Sequence, residues 1–200
     1  MELVFATNNK HKIEEVQNLM KNNFRLLSLE DINCREELPE TGNSLEKNAM
    51  QKAKYVHEKF GVDCFADDTG LEIEALNGKP GVYSARYAGE ERSAEKNIHK
   101  VLNELKGIKN RKALFKTIIS LIINNLEYLF EGKINGTIST ELKGVNGFGY
   151  DPIFIPHPQP LSHGRGERSL AEMSLEEKNK ISHRAIAVKK LAEFLNSLQK

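Results

Sequence analysis

Two adjacent carboxylates carry the most chemical weight in this chain. A short apolar segment, Val62–Ala66, leads into Asp67 and Asp68, and Thr69-Gly70 follows. Paired acids at the end of a strand suit a hard cation, which prefers oxygen ligands. Beyond them stand Gly78, Pro80, Gly81 and Gly89, with Tyr83, Ser84 and Arg86 between. A glycine-rich loop bearing an arginine suits phosphate. Adjacent aspartates before Thr-Gly also fit a solvated turn, and on this stretch alone both readings stand.

Three other regions carry polar groups at chemically useful spacing. Thr7-Asn8-Asn9 follows an apolar run, and Lys10 and Lys12 open a helix pattern. Free N–H groups at a helix start, with lysines nearby, form a phosphate cradle; an ordinary capped turn is the alternative. The P-loop pattern is missing. Lys52 sits in a helical stripe, its ammonium reaching either a pocket or water. In G-F-G-Y-D-P, Phe148 lies between Gly147 and Gly149 and precedes Tyr150 and Asp151. An aromatic on such a loop either stacks on a flat ligand or plugs the core. His157 and His163 lie in a proline-rich stretch without companions at zinc-site spacing.

The elements that must position these groups read as a mixed α/β fold. Strands are expected over Glu2–Ala6, Phe24–Leu29 and Val62–Ala66, then over Leu71–Ala75 after a turn at Thr69-Gly70. A long pair follows, Ala113–Ile123 and Leu126–Thr140, reversing at Asn124-Asn125; a last strand spans Ile153–Ile155. Helices are expected from Lys10, from a cap at Asn43 or Ser44 to about Phe60, over Arg92–Leu105, over Ser169–Lys180, and after Ser182. Arg184 then falls in the first turn of the last helix, where a cation opposes the helix dipole; that position invites a functional reason.

Two hundred residues with a net charge of +1 fit one domain, residues 1–200, with a loop insertion at 156–168. No global basic field argues for nucleic acid or a membrane surface. No apolar run approaches a membrane span, and the start lacks a secretion signal, so a cytoplasmic protein is expected. Cys34 and Cys64 have no metal or redox spacing.

The motifs fall in an order shared with a known family. T-N-N-x-x-K at 7–12, E-T-G at 40–42 and N-A-x-x-K-A at 48–53 come first. A-D-D-T-G-L at 66–71, P-G-V-Y-S-A-R-Y at 80–87, G-F-G-Y-D-P-I-F at 147–154 and S-H-R-A at 182–185 follow. Nearly the whole chain resembles the inosine triphosphate pyrophosphatases, the non-canonical purine NTP pyrophosphatases. The resemblance implies an elongated mixed sheet with flanking helices, two lobes around a central cleft, and a homodimer. It implies Mg²⁺-dependent hydrolysis of ITP, dITP or XTP to the monophosphate and pyrophosphate.

Matched position by position, the resemblance gives Asp68, Lys12 and Glu40 catalytic roles and puts Glu40, Asp68 and Asp67 at the metal. Asn9, Lys12 and Lys52 fall on the phosphate side, and Phe148, Asp151, Lys178, Ser182, His183 and Arg184 at the base and ribose. Thr7, Thr69, Gly149 and Tyr150 are further substrate-binding positions. Three positions depart from the family pattern: Asn8 replaces a common glycine, Lys47 a common acid, and Arg168 a common lysine. A non-hydrolysing nucleotide sensor and a Maf-like pyrimidine triphosphate pyrophosphatase are the competing readings.

Overall fold

The computed structural model describes residues 2–20, 24–157 and 167–198. In chain order the main elements are β1 (Glu2–Phe5), α1 (Lys10–Leu19), β2 (Arg25–Leu27), α2 (Leu45–Phe60), β3 (Cys64–Ile73) and β4 (Pro80–Gly81). Then come α3 (Ala94–Glu104), β5 (Lys112–Ile123), β6 (Leu126–Ile138), β7 (Phe154–His157), α4 (Leu175–Ile181) and α5 (His183–Ser197). Among the described residues the strands make one seven-stranded sheet, ordered β2-β1-β3-β5-β6-β7, with β4 paired to β3. It is mixed, as expected: β1 runs parallel to β2 and β3, while β3–β4 and β6–β7 are antiparallel.

The chain forms two compact units, Met1–Asp68 with Thr117–Gly132 and Arg184–Lys200, and Thr69–Lys116 with Lys133–His183. Because each is assembled from separated segments, no linear boundary shows in the sequence.

In the first unit the strands are apolar on both faces, and alternation sends successive residues to opposite cores. Leu3, Phe5, Phe65, Ile119 and Leu121 pack with Val16 of α1 and with Val188, Leu191 and Leu195 of α5. Val4, Ala6, Cys64, Ala66 and Ile122 pack with Ala53 and Val56 of α2. The rings of Phe5 and Phe65, opposite each other in the parallel register, stack at 4.5 Å. Asn124 and Asn125 have φ of 51° and 62°, the positive values of a tight hairpin turn, as their types lead one to expect. Cys34 and Cys64 are free and buried.

In the second unit, Leu71 and Ile73 of β3 share a core with Ile98 and Val101 of α3, Phe115 of β5, Ile134 and Ile138 of β6, and Phe154 of β7. Strand β6 runs unbroken through Gly136. A Cβ at Gly136 would lie 2.3 Å from the Ile155 carbonyl oxygen and 2.6 Å from the Phe154 ring. The glycine is required by close approach to β7.

Two expectations are corrected. Thr69-Gly70 is not a turn: β3 continues through it to Ile73, and the break comes at Glu74–Leu76, a short 3-10 helix that includes Ala75. Asp-Asp-Thr-Gly has turn composition, but pairing with neighbouring strands overrides that local preference. The helix expected over Ser169–Lys180 is two pieces, a 3-10 turn at Leu170–Glu172 and then α4. Ser169 and Ser174 each form a capping box, and the second restarts the chain. His157 ends β7 with Nε2 3.2 Å from Thr137 Oγ1. Most of the expected 156–168 loop, His163 included, lies outside the described residues.

Replacing Gly136 by alanine is expected to lower stability by about 1–3 kcal/mol through overpacking. In calorimetry that is a drop in Tm of about 2–4 °C per kcal/mol for a protein of this size. An unchanged melting temperature would contradict the close-packing argument.

Candidate functional site

Six of the expected residues meet in the first unit. Asp67 and Asp68 are consecutive on β3, so their side chains leave opposite faces of the strand. Asp67 follows the direction of Phe65, toward α1 and α5; Asp68 follows Ala66, toward α2.

Asp67 is 1% exposed. Its Oδ1 accepts from Lys12 Nζ at 2.8 Å, and its Oδ2 accepts from Arg184 Nε at 3.2 Å. Arg184 Nη1 donates to Glu15 of α1. Burial opposes the charge on Asp67, but Lys12, Arg184 and Lys52 together hold the carboxyl well below the usual range. Burial brings the Lys12 ammonium down, with Asp67 opposing and Lys52 and Arg184 adding to the shift. Arg184 is 2% exposed; burial opposes its charge, but Asp67 and Glu15 hold it protonated more firmly than usual. The cation that opposes the α5 dipole is thus stabilised by two acids, and it meets Lys12 at the Asp67 carboxylate.

On the other face, Lys52 of α2 is buried and its Nζ lies 2.5 Å from Glu40 Oε1 and 2.7 Å from the Asp67 carbonyl. Burial opposes its charge, while Asp68, Glu40 and Asp67 outweigh that and raise its pKa. Of the two readings of this lysine, the ammonium turned inward is the one observed. Burial raises the pKa of Asp68, Lys52 and Lys12 oppose the shift, and Glu40 adds to it. Asp68 Oδ2 accepts from Asn48 Nδ2 at 3.0 Å.

The turn before α1 is a capped turn. Asn9 accepts the Lys12 amide at 3.2 Å, its own amide donates to Thr7 Oγ1, and the residue itself is exposed.

The second unit gathers the aromatic loop. Asp151 Oδ2 accepts from the Phe148 amide at 2.8 Å and from Lys178 Nζ at 2.6 Å. Lys178 Nζ also lies 4.9 Å from the centroid of the half-buried Phe148 ring. A Cβ at Gly147, which has φ of +74°, would come within 2.2 Å of Asp151 Oδ2. Tyr150 is buried and donates to the Ser84 carbonyl at 2.9 Å; Gly149 has φ of +60°. His183 is buried and stacks on Phe115 at 4.4 Å. Ser182 is buried, and its amide donates to the Lys178 carbonyl. Thr69, on β3, is half-buried.

Sequence reasoning missed Glu15, Asn48 and Phe115. Two had a readable signal: Glu15 follows Lys12 by three residues, and Asn48 precedes Lys52 by four, so each shares a helix face with a candidate lysine. Phe115 gave none, since a strand aromatic meets its partner through the tertiary fold.

Relatives match this chain over nearly its whole length. A dITP/XTP pyrophosphatase of Flavobacterium johnsoniae is 51% identical over 98% of this chain and 99% of its own length. One from Porphyromonas gingivalis is 50% identical over 96% of both. The solved Ham1 protein of Staphylococcus aureus superposes with a TM-score of 0.86 at 37% identity, covering 98% of this chain and 99% of its own. The Ham1 family model matches residues 3–194, and the chain belongs to the Ham1 family.

Proposed function

We propose that this protein hydrolyses non-canonical purine nucleoside triphosphates (ITP, dITP and XTP) to the monophosphate and pyrophosphate, and so clears deaminated purines from the nucleotide pool. The observation that carries the reading is the split acid pair on β3. Asp67 is neutralised by Lys12 and Arg184, while Asp68 faces Glu40 and Lys52 with a raised pKa. Relatives at about half identity that are named dITP/XTP pyrophosphatases support it.

A triphosphate brings several negative charges, and Lys12, Lys52 and the α1 start with Asn9 and Thr7 supply donors for them. Asp68 takes the proton of the attacking water; its raised pKa makes it a better proton acceptor than an exposed aspartate. Asp67 supports the site, because a carboxylate held by two buried cations has both oxygens engaged. Phe148 stacks on the purine, with Gly149 and Tyr150 in its loop and Asp151 and Lys178 fixing it. His183 and Arg184 are the candidate donors for the 6-oxo group that distinguishes hypoxanthine from adenine. Phe115 orients the first, Glu15 and Asp67 the second. Ser182 holds the chain between α4 and α5.

Mg²⁺ fits the residues present. Among the described residues no group of three or more His, Cys, Asp or Glu forms a cage. Mg²⁺ needs none: one or two carboxylates plus substrate phosphates hold it. Glu40 and Asp68 are such a pair, and they oppose each other's charge. When bound, the ion neutralises phosphate charge and acidifies water. The reading includes a homodimer acting in the cytoplasm; no helix among the described residues is long and apolar enough to cross a membrane.

With Mg²⁺, the protein is expected to release IMP and pyrophosphate from ITP, with kcat/KM for ATP lower on the order of 100-fold. Orthophosphate release contradicts the reading, as does preference for UTP or dTTP, or ITP binding without turnover.

Asp68→Asn is expected to lower kcat on the order of 10²- to 10⁴-fold. Since Asp68 must be ionised to accept a proton, kcat/KM of the wild type should fall on the acid side at a pH above the ordinary aspartate value of about 4.

Asp67 works oppositely. Its folded pKa is depressed, so its stabilisation is present above the unfolded value of 3.8 and is lost as pH falls below it. Asp67→Asn leaves Lys12 and Arg184 without that charge and should cost about 3–5 kcal/mol at pH 7. Denaturant melts should show the gap between variant and wild type closing below about pH 4.

A further inference from the structure

Asn48 has no part in the chemistry assigned above, yet it touches both segments that carry the acids. It is 1% exposed and lies on the inner face of α2, one turn before Lys52. Its Oδ1 accepts the Gly42 amide at 2.7 Å, and its Nδ2 donates to Asp68 Oδ2 at 3.0 Å. The amide's orientation is fixed by its partners: a backbone N–H can face only the oxygen, and an ionised carboxylate only the NH₂.

Gly42 closes the Glu40-Thr41-Gly42 segment. A Cβ there would sit 2.7 Å from Lys47 Cβ and 2.8 Å from Asn48 Oδ1. The segment therefore lies directly against the amide, closer than any other residue type permits. A second contact ties it to the same helix: Gln51 Oε1 accepts the Thr41 amide at 2.9 Å. The Glu40 loop has no strand or helix of its own, so α2 side chains hold it in place.

We infer that Asn48 is a positioning residue that clamps the Glu40 segment to the Asp68 carboxylate and so sets the relation between the two acids. This rests on the proposed pyrophosphatase reading for its catalytic consequence, but not for the clamp. A chemically equivalent clamp needs an acceptor and a donor about one amide apart, which asparagine provides. Alanine provides neither. Aspartate keeps the acceptor for Gly42 and loses the donor to Asp68, so the two substitutions separate the two bonds.

Hydrogen exchange at the Gly42 amide, read by NMR, together with steady-state kinetics on ITP and Mg²⁺, tests the inference. In Asn48→Ala the Gly42 amide should exchange at least about 10-fold faster than in wild type, and in Asn48→Asp it should stay protected. Both variants should lose kcat on the order of 10- to 100-fold, because a hydrogen bond to a charged group is lost in each, while KM for ITP changes less than about threefold. Unchanged Gly42 exchange in Asn48→Ala overturns the clamp. A kcat within threefold of wild type in both variants overturns the positioning role. So does a loss matched by collapse of the near-ultraviolet circular dichroism, which marks a structural role instead. A wild-type protein inert toward ITP overturns the proposed function and the catalytic half of the inference, and Gly42 exchange still decides the clamp.

Discussion

A carboxylate placed inside a protein core must be neutralised or it destabilises the fold. Asp67 is such a group, and the first unit is arranged around the need to neutralise it. Lys12 arrives from the first turn of α1 and Arg184 from the start of α5, one on each oxygen. Arg184 brings a further acid, Glu15, back to α1. Two elements distant in sequence, α1 and α5, are thereby fixed to one point on β3. The Asp67 carbonyl adds Lys52 from α2 to the same point.

This network allows Asp68 a different fate. The strand's two-residue period sends it to the α2 face, where Asn48, Lys52 and Glu40 surround it. One aspartate is held well below the usual carboxylate range by its cations, and its neighbour is shifted above it by burial. Two side chains of the same chemistry, adjacent in the chain, acquire separate properties because a strand has two sides. Had Thr69-Gly70 turned the chain, this alternation would have ended at the acids. Instead β3 continues and carries Leu71 and Ile73 into the core of the second unit.

The second unit applies the same rule on a smaller scale. Asp151 is buried and serves as the acceptor for both the Phe148 amide and the Lys178 ammonium. The absent side chain at Gly147 leaves the room that Asp151 Oδ2 fills. A flexible glycine-rich loop becomes a defined support for one aromatic ring, and the neighbouring lysine adds its charge beside the ring.

The sequence by itself determined the elements and most of the chemistry. Apolar runs and periodicity located the strands and helices, Ser44 marked the start of α2, and Asn124-Asn125 marked the hairpin. These signals are local, since caps, turns and alternating faces are set by residues a few positions apart. The ordered motifs likewise pointed to the family and its candidate acids and lysines. Tertiary structure decided whether Thr69-Gly70 turned, because strand pairing outweighs the local preference of four residues. It also decided which way Lys52 pointed, that Arg184 joins Lys12 on Asp67, and that Asn48 and Glu15 belong to the site. Those are long-range pairings of buried polar groups. Sequence spacing sets which helix face a side chain occupies, but only the packed fold sets which charge it meets there.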